Sequence, residues 1–265
     1  MIKLPLVSII INCYNGEKFL KDCLDSITSQ SYKNWEIIFW DNCSTDNSKD
    51  ILDKYKSYSI KYFCSDNFLK LYDARNLAIQ KASGKYICFL DADDFWEKDK
   101  IELQVKFLEK NNEFKMVYSN YYIYDNLKKE KLIKHNFELP SGKITSDILK
   151  KYSIGILTTC LNREVFEKHF FNKKYEIIGD FDFFVKLSEK ISVGCIQKPL
   201  ASYRLHSENY SKKKINLYIN ELKDWINENS ENLSKNNLSV FHQKIYLLKL
   251  ILKKYLIFLG RVVQW

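Results

Sequence analysis

The sequence predicts an α/β protein organised around a mostly parallel central β-sheet with helices on both faces. Nearly continuous apolar segments of strand length alternate with amphipathic helical segments through the first ninety residues, and this alternation is typical of parallel, doubly covered sheets. Polar clusters at 13–16, 41–46 and 91–94 follow three of the apolar segments. Because ligands bind outside the carboxyl ends of the strands in such sheets, we expect these clusters to meet at one edge.

The first half of the chain alternates strictly between predicted strands and helices. Apolar residues in the first helix recur at i, i+1, i+4, i+5 and i+8 from Phe19, so they form one helical face. Gly84 is expected to end the third helix as its C′ residue. The predicted strands are 6–12, 35–40, 60–64 and 86–90, and the predicted helices are 17–30, 48–56 and 73–82.

The second half is expected to complete the sheet and to end in a helical tail. A helix at 98–110 would place Ile101, Val105 and Leu108 on its inner face. The other expected elements are a tyrosine-rich strand at 116–124, a charged hairpin or loop at 126–134, a turn at 140–142, short helices around 146–151 and 162–169, a helix at 177–190 that begins near Gly179-Asp180, a strand at 193–203, and tail helices at about 213–229 and 239–259.

This pattern predicts one main domain and an appendage. The main domain is expected at 1–211. A basic helical extension follows at 212–265, where the composition shifts. Residues 207–265 contain ten Lys and Arg against five Asp and Glu, so more than half of the net positive charge lies there.

Composition and motifs exclude several classes of protein. The 265 residues include 42 Lys and Arg against 33 Asp and Glu, and the net charge of +9 favours anionic partners. No nucleic-acid recognition motif, GxGxxG or GxxxxGKS/T sequence is present, so we expect neither a nucleic-acid partner nor a dinucleotide or P-loop site. Seven cysteines without a CxxC pair indicate reduced thiols in a cytosolic protein. We expect no signal peptide and no membrane-spanning helix, since no uncharged apolar run reaches about 18 residues.

The segment 85–96, KYICFLDADDFW, ends an apolar strand abruptly at three carboxylates, Asp91, Asp93 and Asp94. Three acids this close repel one another, and a divalent cation such as Mg²⁺ or Mn²⁺ would compensate their charge. The alternative is a solvated acidic turn that caps a strand. The residues alone leave both interpretations open.

Six short motifs, taken in order, resemble those of family 2 glycosyltransferases, which have the GT-A fold. The resemblance covers roughly residues 5–211. It departs at Gly179, where the family usually has Glu before its catalytic Asp, and at 66–73, which lacks the Gly that the family often has shortly before ARN. The motifs are VSIIINCYN at 7–15, DNCSTD at 41–46, ARN at 74–76, DADD at 91–94, GD at 179–180 and YRLH at 203–206.

The resemblance implies a nucleotide-sugar site, with a nucleotide-binding half at about 1–118 and an acceptor half at about 119–211. Asp41 would accept a hydrogen bond from uracil N3–H, which favours a uridine or thymidine donor over a purine one, and the backbone of Cys13, Tyr14 and Asn15 would frame the base. Arg75 would face the diphosphate or hold the carboxylates of the acidic turn. The alternative for Arg75 is a helix-surface ion pair, which contributes little to stability.

The same resemblance assigns roles within DADD. Asp93 is implied as the most direct metal ligand and Asp91 as a contact of the donor ribose or of the metal. Ala92 belongs to the same donor-binding segment, and Asp94 would orient the sugar or the acceptor. His206 is a candidate further ligand of the Mn²⁺ or Mg²⁺ ion.

The GD motif implies a catalytic base. Asp180 would deprotonate the acceptor hydroxyl, with Asp182 as the fallback. Asp180 could also be the N-cap of its helix, which is compatible with the catalytic role. Attack from the face opposite the diphosphate implies inversion at the anomeric carbon.

Together these implications predict an inverting, metal-dependent glycosyltransferase. It would move a sugar from a nucleotide-diphosphate donor, first among them a UDP-sugar, to a saccharide or lipid-linked saccharide in surface-polysaccharide synthesis. The alternative is a catalytically silent GT-A-like scaffold in a polysaccharide assembly complex, which the Gly179 departure favours. The expected location is the cytoplasm, with peripheral contact at the inner membrane face as a further alternative.

The tail carries lysines on one helical face at 249, 253 and 254, and Leu and Ile fill most of the rest. Such a helix fits core packing, a homo-oligomer interface or an interfacial membrane helix. The sequence does not choose among them.

Overall fold

The computed structural model describes residues 4–207, 209 and 214–258. The strands are β1 (Val7–Cys13), β2 (Trp35–Asp41), β3 (Ile60–Cys64), β4 (Tyr86–Phe89), β5 (Phe95–Trp96), β6 (Phe114–Asp125), β7 (Glu130–Ile133), β8 (Cys160–Asn162) and β9 (Ser192–Leu205). The α-helices are α1 (Leu20–Thr28), α2 (Ser48–Asp53), α3 (Leu71–Gln80), α4 (Lys100–Lys110), α5 (Thr145–Lys150), α6 (Gly179–Ser188), α7 (Ile215–Lys235) and α8 (Phe241–Phe258). The predicted helix limits at 213 and 259 and the predicted domain boundary at 211/212 lie outside the described residues.

A single sheet organises these elements in the order β3-β2-β1-β4-β8-β6-β9-β5, with β7 paired to β6. Strands β1 to β4 are mutually parallel where they pair, and β6 and β9 are also parallel. Strand β8 runs antiparallel to both of its neighbours and joins the two parallel parts. The predicted mostly parallel α/β sheet is confirmed.

Both faces of the sheet are buried, as the continuous apolar strands predict. In β1, Ile9 and Ile11 pack with α1 on one face, whereas Ile10 packs on the other face with residues of α3 and α6. All three side chains are at most 1% exposed. The period-two alternation of a strand therefore supplies both cores from one apolar run.

Two short strands and one helix differ from the prediction. Strands β5 and β8, of two and three residues, are too short to leave a periodic signal in the sequence. The segment predicted as a helix at 162–169 instead ends β8 and continues as a 3₁₀ turn at Arg163–Glu167. The predicted charged hairpin is formed by β6 and β7, with Lys129 at φ 56° in its turn.

Gly84 does not end α3, so that prediction is wrong. The helix ends at Gln80, and Lys81 follows in the right-handed helical conformation. A Cβ at Gly84 would lie 2.6 Å from the Ser8 backbone nitrogen and 2.7 Å from the Leu6 carbonyl oxygen. Glycine is needed there because the chain passes directly against β1.

The helical tail is built into the core. On α7, Leu222, Trp225 and Ile226 are buried in the same cluster as Ile10 and Phe89. Helix α8 is less enclosed and buries Leu250 while leaving much of its outer surface open. No helix among the described residues combines the length and the apolar character needed to cross a membrane.

Candidate active site

The acidic turn leaves the end of β4 and leads directly into β5. The Leu90 amide donates to the Ile10 carbonyl at 3.0 Å, and the Asp94 amide closes the turn on the Asp91 carbonyl at 3.0 Å. Strand β5 then pairs with the carboxyl-terminal half of β9. The turn is therefore held between β1 and β9, at the sheet edge where the sequence predicts a site.

Arg75 links the acidic turn to the predicted base. Its Nη2 donates to Asp91 Oδ1 at 2.9 Å and its Nη1 donates to Asp180 Oδ1 at 2.7 Å. The guanidinium is only 1% exposed, which excludes the surface ion pair considered from the sequence. Of the two functional alternatives, the structure displays the one in which Arg75 holds a carboxylate of the turn.

Aromatic rings surround the Arg75 guanidinium. Its carbon lies 5.4 Å from the ring centroid of Tyr72, 5.8 Å from that of Phe89 and 5.3 Å from that of Phe171. Its Nε is buried without a partner among the described residues. This apolar enclosure removes water from the cation, so the two carboxylates are its principal compensation.

The electrostatics of the two carboxylates reflect this enclosure. Desolvation raises the pKa of Asp91 to about 6, against the opposing effect of Arg75 and with a further increase from Asp93 and Asp180. Asp180 has 26% of its side chain exposed, but the protein around it still desolvates the carboxylate and raises its pKa, while Arg75 opposes the shift. Both acids are therefore better proton acceptors than ordinary aspartates.

Asp180 is the second residue of α6, and Tyr72 on α3 fixes its backbone. The Asp180 amide donates to the Tyr72 hydroxyl at 3.1 Å, and that hydroxyl donates to the Ile177 carbonyl at 3.3 Å. The Asp180 side chain makes no N-cap bond, because α6 begins at Gly179 and Ile178 is its cap. The predicted N-cap role is wrong.

Asp93 and His206 form the second contact across the site. His206 Nε2 lies 2.9 Å from Asp93 Oδ2, and the ring of Phe19 packs against the imidazole at 4.8 Å between centroids. The backbone amide of His206 donates to Asn209 Oδ1 at 2.8 Å. The carboxylate and imidazole that the resemblance implies as metal ligands are thus brought together at the end of β9.

Asp94 faces inward and ties the acidic turn to β9. It is 1% exposed and accepts the Arg204 amide at 2.8 Å. Burial raises its pKa well above the ordinary value, and Asp93 and Asp91 add to the shift. The side chain also borders the cavity described below.

Arg204 is a positioning residue that sequence reasoning missed. Its guanidinium donates to the Asp93 carbonyl, to Asn126 Oδ1 and to Asp22 Oδ2, each at 2.8 Å. The only signal for it was its place in the YRLH motif. It holds the backbone of the acidic turn against β6, β9 and α1.

The predicted base-binding residues gather beside the acidic turn, at the ends of β1 and β2. Asp41 is 3% exposed and accepts the Ser44 amide at 2.8 Å and the Tyr62 hydroxyl at 2.9 Å. Asn15, at φ 52°, accepts the Thr45 amide through Oδ1 at 2.8 Å and so joins the two loops. The Tyr62 contact was not predicted.

Cys13 and Tyr14 occupy different environments in this region. The Cys13 thiol is buried, which raises its pKa to about 11, so only its backbone is available for the predicted framing role. Tyr14 is exposed and packs edge-on against Phe68 at 4.8 Å between ring centroids. A Cβ at Gly16 would lie 3.3 Å from the Ala92 Cβ, so the loop after β1 touches the acidic turn.

Helix α7 supports the segment that carries Asp180, a role that was not predicted. The Glu221 carboxylate accepts the backbone amides of Glu176, Ile177 and Ile178 at 2.7, 2.9 and 3.1 Å. Nearby, Trp225 Nε1 donates to Asp182 Oδ1 at 2.9 Å. These contacts span more than forty residues, so no local sequence pattern reports them.

Asp182, the fallback base, is occupied elsewhere. It is 2% exposed and binds Lys186 at 2.6 Å as well as Trp225. Its carboxylate therefore faces α7, whereas Asp180 faces the cavity. The geometry favours Asp180 for proton transfer.

A cavity of about 920 Å³ opens beside these carboxylates. Asp91, Asp94 and Asp180 line one part of it, and its walls extend through residues of α5 and β9 to α7 and α8. The cavity is within the size range of sites that bind small molecules. It provides room for a substrate next to the carboxylate of Asp180.

Comparison with known proteins agrees with this arrangement. Residues 8–170 match the family described as Glycosyl transferase family 2. Over 216 residues the chain is 32% identical to UDP-Glc:alpha-D-GlcNAc-diphosphoundecaprenol beta-1,3-glucosyltransferase WfgD of Escherichia coli, covering 79% of this chain and 81% of that protein. It is 35% identical over 165 residues to the putative teichuronic acid biosynthesis glycosyltransferase TuaG of Bacillus subtilis. That match covers 60% of this chain and 63% of TuaG, which is less than two thirds of TuaG.

Solved structures share the fold at low sequence identity. TarS of S. aureus in complex with UDP has a TM-score of 0.63 at 18% identity and covers 82% of this chain and 65% of that one. The mannosyltransferase PcManGT of Pyrobaculum calidifontis, in complex with GDP-Man and Mn²⁺, has a TM-score of 0.65 at 15% identity and covers 93% and 70%. The fold is GT-A-like, and the chain belongs to glycosyl transferase family 2.

Proposed function

We propose that this protein is an inverting glycosyltransferase that uses a UDP-sugar and a divalent cation, with a saccharide or lipid-linked saccharide as acceptor. The observation that carries the proposal is the double contact of Arg75 with Asp91 and Asp180, at 2.9 and 2.7 Å. The buried Arg75 guanidinium thereby connects Asp91, the proposed donor-binding carboxylate, to Asp180, the proposed base. The relatives WfgD and TuaG support the same direction, because their names describe a UDP-glucose-dependent enzyme with a diphosphoundecaprenol-linked acceptor and a glycosyltransferase of teichuronic acid biosynthesis.

The proposed reaction is a single displacement. Asp180 takes the proton from the acceptor hydroxyl as its oxygen attacks the anomeric carbon, and the bond from that carbon to the diphosphate oxygen breaks with the electron pair leaving on UDP. A positioned general base contributes typically about 10²–10⁴-fold to such a step. The raised pKa of Asp180 supports this role, since a more basic carboxylate holds the proton better.

Arg75 positions the base in this proposal. The two terminal nitrogens of Arg75 bind one oxygen of Asp180 and one of Asp91, and the surrounding aromatic rings restrict the movement of the guanidinium. Arg75 also keeps both carboxylates more acidic than burial alone would make them. Arg75 thereby opposes protonation of the base and orients it toward the cavity.

The residues at the end of β9 fit a divalent cation. Asp93 Oδ2 and His206 Nε2 are 2.9 Å apart, and a carboxylate and an imidazole are both suitable ligands for Mn²⁺. Among the described residues no group of three or more His, Cys, Asp or Glu side chains could hold a metal, so diphosphate oxygens and water would complete the coordination. When bound, the cation would stabilise charge on the leaving diphosphate as a Lewis acid.

Asp41 would select the base of the donor. Its two oxygens already accept one hydrogen bond each, from Ser44 and Tyr62, and a carboxylate has further lone pairs for a uracil N3–H. Adenine and cytosine place an acceptor nitrogen, rather than an N–H, at the corresponding ring position. This arrangement supports a uridine nucleotide.

The proposal is tested by a donor screen on the folded, full chain. Release of UDP from a panel of UDP-sugars is measured with Mn²⁺ and with EDTA, beside GDP-mannose as the matched wrong donor. We expect UDP release from one UDP-sugar, lost in EDTA and in Asp93→Asn. A folded protein that neither binds nor cleaves any donor would instead support the catalytically silent scaffold.

A further inference from the structure

The cavity beside Asp180 is lined by groups of both charges. Three carboxylates, those of Asp91, Asp94 and Asp180, line it together with four lysines. The lysines are Lys134, Lys150, Lys151 and Lys249. Building on the proposed function, we propose that these lysines bind the diphosphate of a lipid-diphosphate-linked saccharide acceptor, whose sugar then reaches Asp180.

The four lysines come from three separate parts of the fold. Lys134 follows β7, Lys150 ends α5, Lys151 caps that helix, and Lys249 lies on α8. In the ranges that the structure describes, no carboxylate lies within 4.0 Å of any of their ammonium groups. Lys151 Nζ instead lies 3.6 Å from the ring centroid of Phe137.

This charge is suited to a phosphate-bearing ligand. Lysine binds phosphate as a mobile point charge, and hydrogen bonds between ionised partners are stronger than neutral ones. A linked diphosphate carries two negative charges, which match a cluster of unpaired ammonium groups. A neutral saccharide would leave these lysines uncompensated, whereas the diphosphate of an anionic acceptor would pair with them.

The wall of the cavity is also rich in tyrosine. Its tyrosines are Tyr121, Tyr152, Tyr203, Tyr218 and Tyr246. Each combines an apolar ring with a hydroxyl that can donate and accept hydrogen bonds. Such a surface suits a sugar, which presents apolar C–H faces and hydroxyl groups, and it lines the same cavity as the lysines and the proposed base.

Helix α8 also offers a path for the lipid. Phe241, Leu248, Leu252 and Tyr255 are 60 to 62% exposed, and their spacing of i, i+7, i+11 and i+14 places them in one stripe. The face that carries His242, Tyr246 and Lys249 lines the cavity and adjoins this stripe. A lipid chain leaving a diphosphate at Lys249 would therefore run onto exposed apolar side chains.

The test measures binding of the acceptor without any donor. The full chain is titrated with a monosaccharide diphosphate bearing an undecyl chain, with the undecyl glycoside of the same sugar, which lacks the diphosphate, and with inorganic pyrophosphate. The variant is Lys150→Gln/Lys249→Gln. The matched control is Lys143→Gln/Lys244→Gln, which removes the same charge from neighbouring exposed positions outside the cavity wall.

We expect the Lys150→Gln/Lys249→Gln variant to weaken binding of the lipid diphosphate at least tenfold. Its affinity for the undecyl glycoside and for UDP should stay within twofold, as should every affinity of the control pair. A second variant, Leu248→Ser/Leu252→Ser, should weaken the lipid diphosphate but not pyrophosphate.

Three results would overturn the proposal. If the Lys150→Gln/Lys249→Gln variant lost equal affinity for both undecyl ligands, the lysines would not distinguish the diphosphate from the glycoside. If the variant lost no affinity for the lipid diphosphate, the lysines would not bind it. Pyrophosphate binding as tight as that of the lipid diphosphate, with no effect of the stripe variant, would assign the cavity to a soluble diphosphate. Because no sugar transfer is required, failure of the donor screen would remain a separate result.

Discussion

The ring of Tyr72 occupies the space that a side chain at position 179 would need. A Cβ on Gly179 would lie 2.3 Å from Tyr72 Cε2 and 2.5 Å from its Cζ. Two positions at which the sequence departs from the family pattern, Gly179 and the segment 66–73 that contains Tyr72, therefore adjoin each other. Glycine at 179 leaves room for the ring of Tyr72, whose hydroxyl accepts a hydrogen bond from the Asp180 amide.

This contact predicts the effect of adding one carbon at 179. Gly179→Ala should destabilise the protein by about 1–3 kcal/mol, the usual cost of overpacking a fixed core, although alanine is the better helix former. In a Tyr72→Ala background the same change should cost nothing or stabilise the protein. Chemical denaturation of the four members of this double-mutant cycle measures the coupling, and additive effects would contradict the contact.

The contacts of Glu221 predict that helix α7 positions the proposed base, Asp180. Glu221→Gln should lower the free energy of unfolding by about 1–3 kcal/mol, because three backbone amides lose a charged acceptor. It should also lower kcat more than it raises the donor KM, since the segment before Asp180 loosens. Asp224→Asn, on the exposed side of the same helix, is the matched control for kinetics and thermal unfolding. Equal effects of the two changes would refute this role.

The raised pKa of Asp94 predicts that the free energy of unfolding depends on pH. Its folded-state pKa is raised, so the stability it contributes is present below the pKa of the unfolded chain and is lost as pH rises through the folded value. Asp94→Asn keeps an acceptor for the Arg204 amide and cannot ionise. In EDTA the variant should therefore gain stability over the parent protein as pH rises from 4 to 8.

The control for this series is Asp66→Asn, an exposed position outside the acidic turn. Its difference from the parent protein should change less over the same range than that of Asp94→Asn. Urea unfolding at several pH values measures both variants. A stability advantage of Asp94→Asn that shrinks with rising pH would reverse the assigned sign.

The raised pKa values also predict the pH dependence of transfer. The base acts only when deprotonated, so kcat/KM should fall on the acid side at a higher pH than an ordinary aspartate would cause. Asp91, whose pKa is about 6, is bound by the same Arg75 guanidinium as Asp180. The acid side of the kcat/KM profile therefore reports the titration of both carboxylates together. A profile that is flat down to pH 4 would exclude this pair from the rate.

The extent to which sequence anticipates this structure depends on the range of the contacts. The parallel strands and the acidic turn follow from local periodicity and composition, so they were predictable. Arg204, Glu221 and the Tyr72–Gly179 contact join residues from over forty to more than a hundred positions apart, and no local pattern encodes them. The same applies to β8, whose three residues depend on β4 and β6 for their pairing.

The tail illustrates the difference most clearly. Its basic composition predicted an extension at 212–265 appended to the main domain, yet Glu221 and Trp225 contact the segment around Asp180. Truncation should therefore unfold the site as well as remove any membrane contact. Substitutions on the exposed stripe of α8 test that surface without disturbing the core.

The most direct test of the central claim compares Asp180→Asn with Asp182→Asn in the transfer assay. Asp180→Asn should lower kcat by about 10²–10⁴-fold while UDP affinity stays unchanged, because the amide cannot take the acceptor proton. Asp182→Asn retains an acceptor for Trp225 and should keep kcat within a few-fold. Full transfer by Asp180→Asn, or its loss in Asp182→Asn with UDP binding intact, would contradict Asp180 as the base.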